Sequence, residues 1–236
     1  MAGHLTALGC DHCWIRLNRL NQMAEIVELS DKLFLGKGTA RICYYDPRDA
    51  TKCIKVDWAD RSFSQTKQEG KYYKWLAQKR PWFQYDCIPR FHGFVETNFG
   101  LGGVFDVVRD SETSKLSKTL RDYLRDGTVK RERDRWEIAL KQLRDSVLRN
   151  ALVVGDLGPG NILASARMDG SIQLVIVDGI GHRDFLPLCD YIPSLARLRS
   201  SRKMNRFGLT SVDALINLEG KREKARVRKK AQMKKA

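Results

Sequence analysis

The feature that most narrows the possible folds is a loop of small residues, 155–161, held between two apolar stretches. It contains Asp156 and, five positions later, Asn161. Seventeen residues after Asn161, a second apolar run ends in Asp178-Gly179. Loops between buried strands often carry polar functional groups, so we expect these two carboxylates and the amide to converge on one point. Oxygen ligands of this type suit Mg²⁺, which binds few protein groups and completes its shell with phosphate and water.

Two other parts of the sequence also favour phosphate chemistry. Gly36-Lys37-Gly38 lies between predicted strands, and paired glycines let backbone N–H groups approach a phosphate, although most such hairpins are only turns. Lys55 stands within an apolar strand, where its ammonium either extends to solvent or needs a partner. Glu69 lies on the inward face of the next predicted helix. We therefore expect Glu69 to pair with Lys55 and to hold it towards a phosphate.

The spacing of apolar residues and turn signals predicts a five-stranded sheet with one helix inserted after the third strand. The predicted strands are residues 25–35, 41–45, 53–58, 90–96 and 103–108, and the inserted helix is 61–79. The second half of the chain has a different pattern. It predicts helices at 117–126 and 130–150, a loop at 152–163 and a strand at 172–177. Together these elements indicate an α+β protein.

Positive charge is concentrated towards the end of the chain. The net charge is +15, and residues 221–236 alone carry nine Lys or Arg and one Glu. Such a tail attracts anionic membranes or nucleic acid without sequence preference, and it is equally compatible with a solvated, partly helical segment. A second basic run precedes it: Arg197, Arg199, Arg202, Lys203 and Arg206. This run is either a solvated helix face or a surface that meets a substrate phosphate.

Several protein classes are excluded by the sequence. No apolar run approaches the roughly 18 residues that cross a bilayer, so we expect no transmembrane segment. The six cysteines follow no recognisable secretory signal, which favours reduced thiols and a cytoplasmic protein, with peripheral membrane contact left open. Cys10 and Cys13 have zinc-like spacing but lack a second pair, so we expect no metal there. Met23 is a candidate for the true start of the chain.

In chain order, the glycine hairpin, strand lysine, helix glutamate, Asp-x-x-x-x-Asn loop and Asp-Gly resemble the protein-kinase-like superfamily. The loop 155–163 is similar to that of aminoglycoside and small-molecule phosphotransferases. The chain more closely resembles the bacterial YrbL family, which is associated with the PhoP regulatory network. The segments that carry this resemblance are Cys53-Ile54-Lys55, Glu69-x-Lys71-Tyr72-Tyr73, Ile88-Pro89-Arg90-x-His92-Gly93-x-Val95-Glu96-Thr97 and Pro159-x-Asn161-Ile162-Leu163. It extends over about residues 28–200.

The resemblance implies a two-lobed protein-kinase-like fold with a shortened C-terminal lobe. The implied divisions are an extension at 1–27 that is not necessarily native, an N-lobe at 28–108, a C-lobe at 109–207 and a basic tail at 208–236. The implied activity is an ATP- and Mg²⁺-dependent transfer of the γ-phosphoryl group to an unidentified hydroxyl acceptor.

The resemblance also implies roles for individual residues. Asp156 would orient and deprotonate the acceptor hydroxyl, while Asn161 and Asp178 would hold Mg²⁺. The residues implied to bind the nucleotide are Gly36 and Gly38 over the phosphates, Lys55 with Glu69 at the α and β phosphates, Cys53 over the adenine, and Asp106 and Val108 through their backbone groups.

The sequence departs from the kinase pattern at three positions, and the first two, Arg41 and Val154, support an alternative function. Arg41 replaces the third loop glycine, Val154 stands where most kinases have histidine, and Asp178-Gly179 lacks the usual aromatic residue between its members. No Ala-Pro-Glu follows, which argues against a conventional protein substrate. The alternative is a catalytically weak or inactive nucleotide-binding regulator on the same fold. A third hypothesis is a membrane-surface or nucleic-acid binder led by the basic tail.

Overall fold

The computed structural model describes residues 26–59, 64–181 and 188–233. Cys10, Cys13, Met23 and nearly all of the predicted extension 1–27 lie outside these ranges. The described chain is a mixed α+β fold that contains two antiparallel sheets and several helices.

The larger sheet has five strands in the order β1-β2-β3-β5-β4, with every neighbouring pair antiparallel. Its strands are β1 (Phe34–Lys37), β2 (Arg41–Asp46), β3 (Asp49–Asp57), β4 (Phe91–Thr97) and β5 (Gly100–Asp106), and helix α1 (Gln65–Lys79) follows β3. The predicted five strands and inserted helix are confirmed. The first predicted strand is wrong in position, because Asp31–Leu33 form a 3₁₀ turn and pairing with β2 begins only at Phe34.

The side chains of strand β3 alternate between the two faces of the larger sheet and pack into a different cluster on each face. Ile54 and Val56 are buried in a small cluster on one face of the sheet. Cys53, on the opposite face, belongs to the main core. Lys55 shares that second face because side chains alternate along a strand, and it is thereby directed towards the second half of the chain.

Helix α1 is fixed to the sheet at both its start and its middle. The Ser64 hydroxyl caps the helix by accepting from Lys67 N, and it donates to Asp57 at the end of β3 (2.6 Å). Gly70 lets the helix press closely on β4, since a Cβ atom there would lie 2.3 Å from the ring of Phe94. This close contact buries Glu69, whose side chain is 3% exposed.

The second half of the chain is mostly helical and contains the smaller sheet. The strands are β6 (Lys118–Thr119), β7 (Ile162–Ala166) and β8 (Ile172–Ile176), and the helices are α2 (Leu120–Arg125), α3 (Thr128–Arg131), α4 (Arg133–Arg149), α5 (Leu188–Tyr191), α6 (Pro193–Arg206) and α7 (Val212–Met233). The buried stripe of α4 is the one its spacing predicts: Trp136, Leu140, Leu143 and Val147. Strand β7 was not predicted, and α6 was anticipated only as one interpretation of the basic run 197–206. Within the described ranges, no helix is both long and apolar enough to cross a membrane.

Candidate functional site

The loop before β7 and the turn after β8 are joined by backbone contacts. Gly155 N donates to Gly179 O (2.7 Å), and Val177 N donates to Asn161 O (2.9 Å). Gly179 has a φ of +79°, and a Cβ atom there would lie 2.5 Å from the carbonyl oxygen of Asp156. Glycine is therefore required for this close approach. The structure thus brings Asp156, Asn161 and Asp178 together, although they are spread over 23 positions of the sequence.

A cleft of about 370 Å³ lies between the five-stranded sheet and this pair of loops. Its lining includes eight of the ten predicted site residues: Gly36, Gly38, Cys53, Lys55, Asp106, Val108, Asn161 and Asp178. One part of the lining is apolar and includes Leu35, Ile42, Val107 and Leu163. Lys55, Asn161 and Asp178 supply polar groups to the same space, so the cleft combines an apolar wall with charged and amide groups.

Lys55 reaches across the cleft from the sheet to the end of β8. Its Nζ donates to the carbonyl oxygen of Val177 (2.5 Å) and lies 4.3 Å from the centre of the Phe105 ring. The ammonium is therefore held next to Asp178 by a backbone acceptor and an aromatic face.

The expected pairing of Lys55 with Glu69 is wrong, since the structure pairs Glu69 with Arg41. The Arg41 guanidinium donates to Glu69 Oε2 through one Nη and to Asp178 Oδ1 through the other (2.5 Å). Arg41 is 5% exposed, and its planar fork can bind two carboxylates at once, which a lysine ammonium does less well. Arg41 on β2 thus occupies the position between helix α1 and Asp178.

The charges in this cluster shift the titration of its members. Burial by itself would raise the pKa of Asp178, but the positive charges of Arg41 and Lys55 lower it below the usual aspartate value. Burial also disfavours the charged form of Arg41 and by itself would lower its pKa. The negative charges of Glu69 and Asp178 instead raise that pKa above the usual arginine value. Asp178 also accepts from Gln65 Nε2 (2.9 Å) and from Gly179 N (2.8 Å). The Asp178 side chain is consequently an anion held in place by several donors.

The glycine hairpin between β1 and β2 leaves open space above its backbone. A Cβ atom at Gly36 would meet nothing within 4 Å, and neither Gly36 nor Gly38 has a positive φ. Gly38 N donates to Arg41 O (2.8 Å), which closes the turn. Local backbone conformation therefore does not require glycine at Gly36, and the absence of a side chain leaves room for a bound group.

The residues predicted to contact adenine lie where β5 leaves the sheet. The Asp106 side chain contacts Nε2 of His92 (2.5 Å), and Asp106 N, one of the backbone groups predicted to meet adenine, donates to Arg90 O (3.1 Å). The carbonyl of Val108 accepts from Ser117 N (3.2 Å). Cys53 is buried beside Cys43, and the hydrogen bond between the two thiols lowers the pKa of Cys43. Cys43 is thus the more acidic of the two thiols in the cleft.

Asp156 lines a second cavity, of about 230 Å³, on the α1 and α6 side of the loop. The side chain is exposed, and its Oδ1 accepts from Gly158 N (2.9 Å). Glu69 from α1 and Arg199 and Lys203 from α6 also line this cavity. Lys203 Nζ donates to the carbonyl oxygen of Gly155, immediately before Asp156 (3.1 Å). The loop that carries Asp156 and Asn161 therefore lines both cavities, the smaller through Gly155 and Asp156 and the larger through Gly160 and Asn161.

Arg121 supports the loop from α2. A Cβ atom at Gly160 would lie 2.6 Å from Arg121 Nη1, so the second glycine of Gly158-Pro159-Gly160 leaves room for this guanidinium. The Nε of Arg121 lies 3.5 Å from Oε1 of the buried Glu219 on α7. Helix α7 thus contributes to holding the loop in place.

Sequence reasoning missed the site roles of Arg41 and Gln65 and left that of Lys203 open. A signal for Arg41 was present, because a cation next to Ala40 and Ile42 in a strand needs buried partners as much as Lys55 does. Gln65 had no such signal. Within residues 26–59, 64–181 and 188–233, no three His, Cys, Asp or Glu side chains converge as a metal cluster. Beside Lys55, the cleft offers a cation the carboxylate of Asp178 and the amide of Asn161.

Comparison with known proteins identifies a family. Residues 27–210 match the family described as PhoP regulatory network protein YrbL. The chain is 32% identical over 185 residues to the uncharacterized protein YrbL of Escherichia coli (strain K12), a match that covers 77% of this chain and 86% of that protein. The YrbL protein of Shigella flexneri matches with the same identity and coverage. The chain therefore belongs to the YrbL family of PhoP regulatory network proteins.

Proposed function

We propose that this protein is an ATP- and Mg²⁺-dependent phosphotransferase of the protein-kinase-like type, which moves the γ-phosphoryl group to a hydroxyl acceptor. The observation that carries the proposal is that one loop lines two cavities. The larger cleft contains the glycine hairpin, Lys55, Asn161 and Asp178, and the smaller cavity contains Asp156. A donor nucleotide and an acceptor can thereby approach each other across that loop.

The larger cleft has the chemistry that a nucleotide triphosphate requires. Its apolar lining suits a flat base, and the open backbone of the hairpin suits phosphates. Lys55 adds a positive charge beside Asp178. Catalysis in such a site comes mostly from positioning and from neutralising charge on the phosphates.

Asn161 and Asp178 fit the preference of Mg²⁺ for a small number of oxygen ligands. They line the same cleft and are linked through the Val177 N to Asn161 O hydrogen bond. Bound there, Mg²⁺ would neutralise phosphate charge. Arg41 holds the Asp178 carboxylate in its ionised form, which is the form that binds a cation.

Asp156 is suited to act on the acceptor. Its Oδ1 is fixed by Gly158 N while the side chain remains exposed to the smaller cavity. A carboxylate held in this way can accept a hydrogen bond from the acceptor hydroxyl, orient it and take its proton.

The experiment uses purified full-length protein, labelled ATP and cell extract. The wild type should transfer label to an acceptor, and Asp156→Asn should lose transfer while it still binds the ATP analogue AMP-PNP. Equal transfer by the two proteins would remove the proposed role of Asp156.

A specific observation favours a second candidate, a nucleotide-binding regulator without turnover. Arg41 already pairs with Asp178, and Val154 is fully buried at the position where kinases have histidine. The description of the family as a regulatory-network protein agrees with this candidate. Stabilisation of the protein by ATP in a thermal-shift series, with no transfer in any extract, would favour it over the phosphotransferase.

A further inference from the structure

We propose that the acceptor is an alcohol that already carries a phosphate group, and that helix α6 binds this phosphate. This inference rests on the proposed function and adds the chemical class of its acceptor. It starts from one face of α6, which we call the basic stripe: Leu195, Leu198, Arg199, Arg202, Lys203 and Arg206.

The basic stripe is a continuous helical face. Its members follow one another at steps of three, one, three, one and three residues, which places them on one side of the helix. The opposite side holds α6 against the core through Ala196, Ser200 and Met204. Ser200 Oγ donates to Leu152 O (2.6 Å), and this bond fixes the stripe beside the segment that leads into Asp156.

The basic stripe lines a groove that adjoins the Asp156 cavity. The groove has a volume of about 490 Å³, and Arg199 and Lys203 line both spaces. Lys203 also donates to Gly155 O, next to Asp156. A molecule whose hydroxyl meets Asp156 can therefore place an anionic group on the stripe without leaving the cavity.

The charge pattern of α6 differs from that of α4. Helix α4 pairs Arg133 with Glu137 and Lys141 with Asp145, and such pairs relieve the repulsion of like charges on a helix. Helix α6 has five basic residues and no acidic one. In the described part of the chain, no carboxylate lies within 4.0 Å of Arg202, Lys203 or Arg206.

Phosphate is the group that best fits this arrangement. Arginine guanidinium binds phosphate oxygens in pairs, and a phosphate ester carries up to two negative charges near neutral pH. A cationic acceptor such as an aminoglycoside is disfavoured by the same charges. In the transfer step, the acceptor oxygen forms a bond to the γ-phosphorus and the bond to the β,γ-bridging oxygen breaks. ADP leaves with that electron pair, and Asp156 takes the hydroxyl proton.

The test measures binding of inorganic phosphate to the full-length protein by ³¹P NMR, with and without saturating Mg²⁺ and AMP-PNP. We expect saturable binding that Lys203→Met and Arg202→Met each weaken by about tenfold or more. Lys141→Met, on the outer face of α4, and Lys224→Met, on the basic tail, should bind like the wild type. Glycerol 3-phosphate should compete with phosphate, whereas glycerol, which lacks the phosphate, should not.

A second arm separates a soluble phosphate ester from a lipid headgroup. Sedimentation with phosphatidylglycerol vesicles, compared with phosphatidylcholine vesicles, should depend on Lys203 but not on Lys224 if the phosphate belongs to a lipid. Phosphate binding without this vesicle dependence assigns a soluble ester, and both results keep the proposed class of acceptor.

Two results would overturn the inference: no saturable phosphate binding, or equal binding by the wild type, Lys203→Met and Arg202→Met. Unchanged melting temperatures of the variants establish that they are folded. Failure of AMP-PNP to bind would instead count against the phosphotransferase itself, so the two proposals fail separately.

Discussion

Removal of the Arg41 guanidinium is expected to destabilise the protein strongly. In Arg41→Met, the Glu69 carboxylate would stay buried at 3% exposure without its cation. Its other oxygen, Oε1, already has no hydrogen-bond partner. Breaking a buried ion pair by removing one partner costs about 3–5 kcal/mol. For a chain of this size that corresponds to a fall in melting temperature of roughly 6–20 °C.

The assay is thermal unfolding of the wild type, Arg41→Met, and the double variant Arg41→Met/Glu69→Gln. Glutamine removes the unpaired charge, so the double variant should regain about 1–3 kcal/mol relative to Arg41→Met. Arg133→Met is the matched control, since its ion pair with Asp213 is exposed and should be worth less than about 1 kcal/mol. A melting temperature of Arg41→Met close to that of the control, or no recovery in the double variant, would refute this reasoning.

Three further predictions concern packing, pH and reactivity. Gly70→Ala should destabilise the fold by about 1–3 kcal/mol in a thermal melt, because the new methyl meets the Phe94 ring at 2.3 Å. At Gly220 a Cβ atom meets nothing within 4 Å, so Gly220→Ala should instead stabilise α7 by about 0.5–1 kcal/mol. Equal effects of the two substitutions would contradict the role of close packing at Gly70. The lowered pKa of Asp178 stabilises the folded state above the ordinary value of about 3.9, and this contribution is lost as pH falls through the lower folded value. As the pH is lowered from about 5 to about 2, the melting temperature should therefore fall less steeply for Asp178→Asn than for the wild type, and parallel curves would argue against this linkage. Cys43, whose pKa is lowered, should react with iodoacetamide faster than the buried Cys87, whose pKa is raised by burial. Mg²⁺ with AMP-PNP should protect Cys43 from this reaction. Peptide mass spectrometry that finds Cys87 modified first would contradict the prediction.

The larger sheet was predictable because its strands alternate in a regular way. Ile54 and Val56 on one side of β3, with Cys53 and Lys55 on the other, define two faces from the sequence alone. Helix α6 was not predictable by this means. Its buried residues are small or flexible (Ala196, Ser200 and Met204), so they produce no strong apolar period. The 3₁₀ turn at Asp31–Leu33 was missed because local spacing does not report where pairing with β2 begins.

The candidate site was predictable in its composition but not in its internal pairing. The distinctive loop and Asp-Gly turn identified Asp156, Asn161 and Asp178 as neighbours, and the contacts of Gly179 explain why. The partner of Glu69 depended on which cation reaches it across the sheet. Arg41 and Lys55 both face that region, and only their three-dimensional positions decide between them.

The most direct test of the account is calorimetric binding of AMP-PNP to the full-length protein, with and without Mg²⁺. We expect one site per chain, an affinity that Mg²⁺ increases, and at least about tenfold weaker binding by Lys55→Met, since a charged hydrogen bond is lost. In Asp178→Asn, the increase in affinity caused by Mg²⁺ should disappear. Arg149 pairs with Asp86 outside the cleft, so Arg149→Met should behave like the wild type. Absence of binding, or binding that neither Mg²⁺ nor Lys55 influences, would contradict the nucleotide cleft.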